Sequence, residues 1–144
     1  MPLAHAMWVH GHSIRVEVLD RMDDTIRKGS YVRLEGKANT RNWFHLAIPT
    51  AVIVEGNRLR IDSVMLRFRT SGATVTAVHV YDGANKIASH DGLNLHPGGW
   101  AFERFEVPGQ PDIRWGLGIS FKGEFGSQST RRIDVSSAGG DFLP

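Results

Sequence analysis

The sequence contains no cysteine, which excludes disulfide frameworks, thiolate metal sites and cysteine nucleophiles. No apolar run approaches the roughly 20 residues that a transmembrane helix needs. Residues 1–5 lack the basic and apolar regions of a secretory signal peptide. We therefore expect a cytoplasmic protein with no membrane partner.

A large excess of charge of one sign is also missing. Lys and Arg number 17 and Asp and Glu number 15, so the formal net charge is +2. The nearest candidate for a basic face is a set of arginines that alternate with apolar residues: Arg58, Arg60, Arg67 and Arg69. This alternation is typical of the solvated face of a strand, and nucleic-acid binders usually concentrate their charge. We do not expect nucleic acid as a partner.

Apolar residues at helical spacing are absent from every window of helical length. The chain instead alternates with a period of two, most clearly over residues 113–121, and residues 20–28 read as a polar loop. Glycine is abundant, 16 of 144 residues, and pairs such as Asp82-Gly83 are typical of hairpin turns. The pattern predicts about nine or ten strands, near residues 4–10, 13–19, 30–35, 42–53, 58–69, 74–81, 86–90, 100–107, 113–125 and 131–137.

The length and the strand pattern together predict the fold class. At about 150 residues per domain, residues 1–144 form one domain. Many short strands separated by turns predict an all-β protein, either a single antiparallel β-sandwich of jelly-roll type or a flattened barrel. Two strands change phase midway, which predicts one β-bulge near Asp62 or Ser63 and another between Phe102 and Phe105.

Several short strings occur in a characteristic order along nearly the whole chain: Trp8-Val9-His10-Gly11, Trp43-Phe44-His45 leading to Ile48-Pro49-Thr50, Val78-His79-Val80-Tyr81-Asp82-Gly83, Gly116-Leu117-Gly118-Ile119-Ser120, and Ser137-Ala138-Gly139 with Asp141-Phe142. In this order they resemble a family of small bacterial proteins of unknown function. The resemblance implies a compact β-domain and carries no established activity.

Histidine is the unusual residue of this composition, with seven copies. His10 and His12 are two apart, so on a strand they share a face and would be able to bind one metal ion. A third ligand would have to come from another strand, for example His45, His79 or His90. Because Gly11 weakens the strand between the pair, we expect no cofactor, and a metal at His10 and His12 stays open as an alternative.

A second constellation combines aromatic and polar side chains. Trp43 and His45 share one face of a predicted strand, and His79 and Tyr81 share one face of another, followed by Asp82. If the two strands pair, these rings line one concavity. Indole and phenol rings offer flat apolar surfaces with a polar edge, which suits sugars and ring-shaped metabolites. The alternative is that Trp43 and Tyr81 are core aromatics.

Two glycines in the strand near residues 113–125 predict a bare strip of backbone. Gly116 and Gly118 lie on the face opposite Trp115 and Leu117, so another group packs closely there, most simply an aromatic side chain of the protein itself. The position inside a strand pattern excludes a dinucleotide-binding loop.

The leading functional prediction is a non-catalytic binding module for a small ring-bearing ligand, a glycan or a metabolite. The ligand-binding residues would be Trp43, His45, His79 and Tyr81. Two alternatives stay open. One is a small enzyme that uses histidine as metal ligand or general base, with candidates His10, His12, His45 and His79. The other is a structural or self-associating subunit, for which a homo-oligomer is possible.

Overall fold

The computed structural model describes residues 5–144, and the period-two pattern forms two antiparallel sheets. Strands are numbered β1 to β13 in chain order. Sheet A has the strand order β11-β8-β13-β4-β3, and β1 pairs with the second half of β13. Its strands are β1 (His5–His10), β3 (Met22–Arg27), β4 (Val32–Gly36), β8 (Arg60–Ser71), β11 (Ala101–Glu106) and β13 (Arg132–Leu143).

Sheet B has five strands in the order β10-β9-β12-β5-β2. They are β2 (Arg15–Val16), β5 (Arg41–Ile48), β9 (Ala73–Asp82), β10 (Asn85–His90) and β12 (Leu117–Phe125). A separate two-stranded ribbon joins β6 (Ile53–Val54) to β7 (Asn57–Arg58). The helical elements among residues 5–144 are two 3₁₀ turns, Gly11–Ser13 and Leu19–Arg21.

The two sheets face each other across one apolar core. Alternate side chains of the central strands point inward, as in Phe44, Phe68 and Phe121, which are fully buried. The rings of Phe44 and Phe121 stack at 5.1 Å between centroids. Both sheets end in unpaired edge strands, so the strands do not close into a barrel. Of the two predicted architectures, the structure therefore confirms the β-sandwich.

The first predicted bulge is confirmed. In the pairing of β8 with β13, Ser63 faces Asp141 and Ile61 faces Phe142, which leaves Asp62 as the extra residue. A one-residue insertion changes the phase of alternation, so Ile61 and Val64 both point into the core.

The second predicted bulge is wrong. Strand β11 pairs with β8 without a register shift from Ala101 to Glu106. Phe105 points into the core, and Phe102 therefore lies on the opposite, outer face of sheet A, where half of its surface is exposed. The aromatic residues were out of phase because they belong to two different faces.

Two further local predictions are corrected. The stretch predicted as a polar loop contains a 3₁₀ turn and the edge strand β3, whose polar sequence reflects its exposed position. The long alternating strand predicted from residue 113 begins at Leu117, and Trp115 is three-quarters exposed rather than buried. The predicted strand at residues 13–19 is reduced to the two residues of β2, and the strand predicted from residue 4 begins outside the described residues.

The ends of several strands match their predicted positions closely. The Asp82-Gly83 turn joins β9 to β10 as a hairpin in which Asp82 pairs with Asn85, and Gly83 has the positive φ of 58° that this turn requires. Within residues 5–144, no helix has the length and apolar character that a membrane-crossing helix requires.

Candidate functional site

The outer face of sheet B carries the four residues that the sequence predicts as a ligand site. Alternation along β5 places Trp43 and His45 outward, because Phe44 and Leu46 fill the core. Alternation along β9 does the same for His79 and Tyr81. All four side chains are half-buried and line one depression of about 290 Å³.

The two strands that carry these residues do not pair with each other, contrary to the condition on which the prediction was built. Strand β12 lies between β5 and β9, and Ser120 at its centre faces His45 on one side and His79 on the other. The four side chains meet by reaching over β12, whose outward residues there are small. Ser120 is therefore the floor of the depression.

A chain of hydrogen bonds fixes the imidazole of His45. Its Nε2 lies 2.9 Å from Oε1 of Glu17, and its Nδ1 lies 2.6 Å from the hydroxyl oxygen of Ser120. A carboxylate only accepts, so Nε2–H donates to Glu17, and in the neutral ring Nδ1 accepts the hydroxyl proton of Ser120. This arrangement selects one tautomer and one ring orientation.

The second imidazole is held by a carboxylate and by a ring. Nε2 of His79 donates to Oδ1 of Asp91 at 2.8 Å. This hydrogen bond lowers the pKa of the Asp91 carboxyl group. The ring of His79 lies 4.7 Å from the ring of Trp43, and Nζ of Lys122 lies 5.9 Å from the same indole. The indole of Trp43 is thus held at a fixed angle by its two neighbours.

A second, wider depression of about 600 Å³ continues from the first and shares His45, Tyr81 and Ser120 with it. Its floor is formed partly by Gly118 and Ala47, which face each other across β12 and β5. A Cβ added at Gly118 would meet nothing closer than Cβ of Tyr81, at 3.7 Å. The two depressions form one groove across sheet B, which we call the sheet B groove.

The predicted bare strip of backbone is narrower than expected. Gly118 lies in β12 beside Tyr81, in agreement with packing by the protein's own aromatic residue. Gly116 precedes the strand and adopts a φ of 130°, and a Cβ at this position would have no neighbour within 4 Å. The strip therefore consists of Gly118 and the neighbouring Ala47.

Asp82 follows the predicted site residues in sequence but points the other way. It is 6% exposed and faces inward, where its carboxylate accepts the backbone N–H groups of Arg114, Trp115 and Gly116. These bonds hold the turn before β12 next to Gly83, at the end of the sheet B groove. Asp82 is a positioning residue for the groove wall.

His10 and His12 do not form a metal site with the candidate third ligands. Gly11 begins a 3₁₀ turn, and the two rings meet at 4.1 Å between centroids. Nδ1 of His10 accepts the backbone N–H of His12, and Nε2 of His12 contacts the carbonyl oxygen of Lys28. Over residues 5–144, no group of three metal-ligating side chains comes together.

Sequence reasoning missed the polar partners of the groove. Ser120 belongs to the outward-facing set of β12, and its alternation with Ile119 and Phe121 was a usable signal. Its position between β5 and β9 depends on strand order, which a single sequence does not reveal. Glu17 directly follows β2 and Asp91 directly follows β10. Alternation does not extend to such flanking positions, so it did not indicate that these carboxylates bind the two histidines.

The chain is similar in structure to carbohydrate-binding modules. A xylan-binding module, CBM86 from Roseburia intestinalis, is 12% identical, with 97% of each chain covered and a TM-score of 0.63. A variant of the family 29 module CBM29-2 is 9% identical, with 95% of this chain and 91% of that chain covered and a TM-score of 0.59. The module CBM29_1 from Piromyces equi is 12% identical over 96% and 91%, with a TM-score of 0.52. At these identities the similarity establishes the β-sandwich fold alone.

Comparison with curated proteins gave no match. A family model described as a family of unknown function matches residues 1–142. The match agrees with the resemblance to an uncharacterised family that the order of the short strings suggested. The chain belongs to the family of unknown function DUF6623.

Proposed function

We propose that the protein binds a glycan chain, without catalysis, in the sheet B groove. The observation that carries the proposal is the meeting of Trp43, His45, His79 and Tyr81 over Ser120, in a depression open to solvent. Aromatic rings and polar groups alternate around it. This is the combination that a sugar ring needs, because a pyranose has apolar C–H faces and a rim of hydroxyl groups.

The form of the groove favours a chain over an enclosed metabolite. The side chains of His45 and Glu17 at its wall are 40% and 50% exposed. Small-molecule sites normally bury most of the ligand surface. A groove with so exposed a wall would leave much of a small ligand in contact with solvent. A glycan chain that lies along the Gly118 and Ala47 floor would contact the groove on one side only.

The polar groups of the groove are held in place for hydroxyl recognition. Glu17 and Asp91 orient the imidazoles of His45 and His79, so little side-chain freedom would be lost on binding. Because both ring nitrogens of His45 are engaged, sugar hydroxyl groups would meet the carboxylate of Glu17 and Nδ1 of His79. Lys86 and Arg15 at the margins offer further donors. The structural neighbours, among them a low-affinity xylan-binding module, support the same class of ligand.

A second candidate function, hydrolysis, is suggested by the Ser120, His45 and Glu17 chain, which contains the residue types of a nucleophile, a base and an orienting acid. Ser120 lies in the middle of a strand that is paired on both sides. Its backbone is committed to the sheet, whereas a serine nucleophile needs N–H groups directed at the developing oxyanion. We therefore propose that the hydrogen bonds of Ser120 and Glu17 orient His45 for ligand binding.

Affinity electrophoresis through native gels that contain soluble xylan, hydroxyethylcellulose or glucomannan tests the proposal. At least one polymer should retard the wild-type protein, and Trp43→Ala and Tyr81→Ala should remove that retardation. The control is Ile53→Ala, an exposed apolar residue of the β6–β7 ribbon, which should migrate as the wild type does. Melting curves check that each variant is folded.

Retardation that persists in Trp43→Ala and Tyr81→Ala would overturn the assignment of the site. Retardation by none of the three neutral polymers would overturn glycan binding. Turnover of aryl esters or aryl glycosides that is lost in Ser120→Ala would establish hydrolysis in place of binding.

A further inference from the structure

The outer face of sheet A carries aromatic rings that the core does not use. Trp8 on β1 and Phe102 on β11 are 42% and 50% exposed, and their rings lie 5.9 Å apart between centroids. Trp8 pairs with Gly139 of β13, where an added Cβ would come within 2.5 Å of the carbonyl oxygen of Met7 and 2.8 Å of the indole. A glycine at this position therefore lets the ring rest on the sheet.

Arginines are interleaved with these rings, and most of them have an acidic partner. Arg33 and Arg69 both bind Asp134, each with an N–O distance of 2.9 Å, and Arg104 binds Asp141. Asp134 is 1% exposed. These two carboxylates bind three of the guanidinium groups on this face and offset two of their three charges.

Arg67 is different, because within residues 5–144 it makes no ion pair. Its guanidinium lies 4.7 Å from the ring of Trp100 and donates to the hydroxyl of Ser136 at 3.1 Å. In the sheet register Arg67 stands directly opposite Phe102. A guanidinium stacked on an indole keeps its plane, and its free N–H groups match the two oxygens of a carboxylate.

Arg132 is a second cation without an ion pair in the described part of the chain. It faces Ser71 of β8 and lines a cleft of about 320 Å³ together with Arg69 and Gly98. Ser71 is four residues from Arg67 on the same strand, a separation of about 13 Å. Phe102 on β11 thus stands beside Arg67, and Arg132 on β13 stands beside Ser71, at two points of β8 about 13 Å apart.

We propose that this face is a second ligand surface, for an acidic glycan. Sugar rings stack on Phe102 and Trp8, and the carboxylates of uronic acid residues bind Arg67 and Arg132. A nucleic acid fits less well, because its phosphates need a dense array of cations. The guanidinium groups of this face are interspersed with three carboxylates, those of Asp134, Asp141 and Glu35, the last directly opposite Arg132 in the register. The proposal goes beyond the sheet B groove and does not depend on it.

Titration calorimetry with polygalacturonate, and with the same polymer fully methyl-esterified, tests the charge requirement. The acidic polymer should bind and the esterified polymer should bind at least tenfold more weakly. Arg67→Gln and Arg132→Gln should each weaken binding of the acidic polymer at least fivefold. Arg114→Gln is the control, since Arg114 is exposed and lies outside this face, and it should change the affinity less than twofold.

Equal binding of the esterified polymer, or unchanged affinity in both arginine variants, would overturn the proposal. Tighter binding of single-stranded DNA, sensitive to the same variants, would identify a nucleic-acid surface. Self-association in sedimentation that is lost in Arg67→Gln, with no polymer binding, would identify an interface between copies of the chain.

The two surfaces are separable. Trp43→Ala should leave the affinity for polygalacturonate unchanged, and Arg67→Gln should leave retardation by neutral polymers unchanged. Loss of acidic-polymer binding in Trp43→Ala would contradict the proposed surface on sheet A and would leave the proposal for the sheet B groove unaffected.

Discussion

The indole of Trp43 and the imidazole of His79 lie 4.7 Å apart between ring centroids, although one belongs to β5 and the other to β9. They meet over β12, where the outward residue between them and His45 is the small Ser120. Because His79 is also bonded to Asp91, the position of the indole depends on a carboxylate outside the strand. The walls of the groove are therefore held by contacts across three strands.

Filling the floor of the groove should block the ligand without harming the fold. Gly118 points outward in extended backbone, and the nearest atom to an added Cβ is 3.7 Å away. We expect Gly118→Leu to melt within a few degrees of the wild type and to lose retardation by neutral polysaccharides. Retained binding would mean that the ligand does not occupy the floor beside Tyr81.

A matched glycine in the core should behave in the opposite way. An added Cβ at Gly36 would overlap the ring of Phe125. Overpacking of this kind costs about 1–3 kcal/mol. We expect Gly36→Ala to lower the free energy of unfolding in urea by that amount and to leave neutral-glycan affinity unchanged in the folded fraction.

Removal of the Asp82 carboxylate should loosen the turn at the end of the groove. Three successive backbone N–H groups, those of residues 114, 115 and 116, would lose their acceptor. Hydrogen bonds to a charged group each contribute about 1.5–3 kcal/mol, and water replaces some of them. We expect Asp82→Ala to destabilise the protein by about 2–3 kcal/mol in urea unfolding and to speed hydrogen exchange at those amides. Asp91→Ala, whose side chain is 66% exposed, should leave the free energy of unfolding in urea close to that of the wild type.

Stability should fall in acid through Asp134. Burial raises the pKa of this carboxyl group, but the hydrogen bonds and charges of Arg33 and Arg69 outweigh burial, so the pKa is lowered overall. The folded protein therefore favours the ionised form. The stabilisation is complete above the unfolded-state pKa of about 3.9 and is lost as the pH falls below it towards the folded-state value.

Urea unfolding at a series of pH values measures this effect. Asp134→Asn should cost about 3 kcal/mol at neutral pH and should flatten the loss of stability in acid. A variant whose stability falls as steeply as that of the wild type below about pH 4 would show that other carboxyl groups cause the acid limb.

The hydrogen-bond chain at His45 predicts coupled effects on binding. Ser120→Ala and Glu17→Ala each remove one partner of the imidazole. We expect each variant to weaken neutral-glycan binding a few-fold and the double variant to lose less than the sum of the two free-energy changes, because either loss already frees the ring. Strict additivity in the double-mutant cycle would contradict a role in orienting His45.

The sequence was sufficient to predict which side chains share a face. Alternation placed Trp43 with His45 and His79 with Tyr81, and the change of phase near Asp62 located a real bulge. These features depend only on the two-residue repeat of a strand. They are local, so one sequence contains them.

Alternation gave wrong predictions of which way a side chain points in two situations. In one, the outer face of a sheet also carries apolar residues; in the other, a turn interrupts the strand. Phe102 is out of phase with Phe105 because it lies on the outer face of sheet A against Trp8. Trp115 is exposed because it lies in the turn before β12 that Asp82 holds. The order β9-β12-β5, which brings Ser120 into the site, depends on long-range pairing that the local pattern does not encode.

Four tryptophans give the most direct test of the sheet B groove, because each indole N–H has its own signal in a ¹H–¹⁵N correlation spectrum. The account predicts that cellohexaose or xylohexaose shifts the signal of Trp43 in proportion to saturation and leaves those of Trp8 and Trp100 in place. Single Trp→Phe variants assign the four signals. An unmoved Trp43 signal at concentrations where the oligosaccharide is bound would contradict the account.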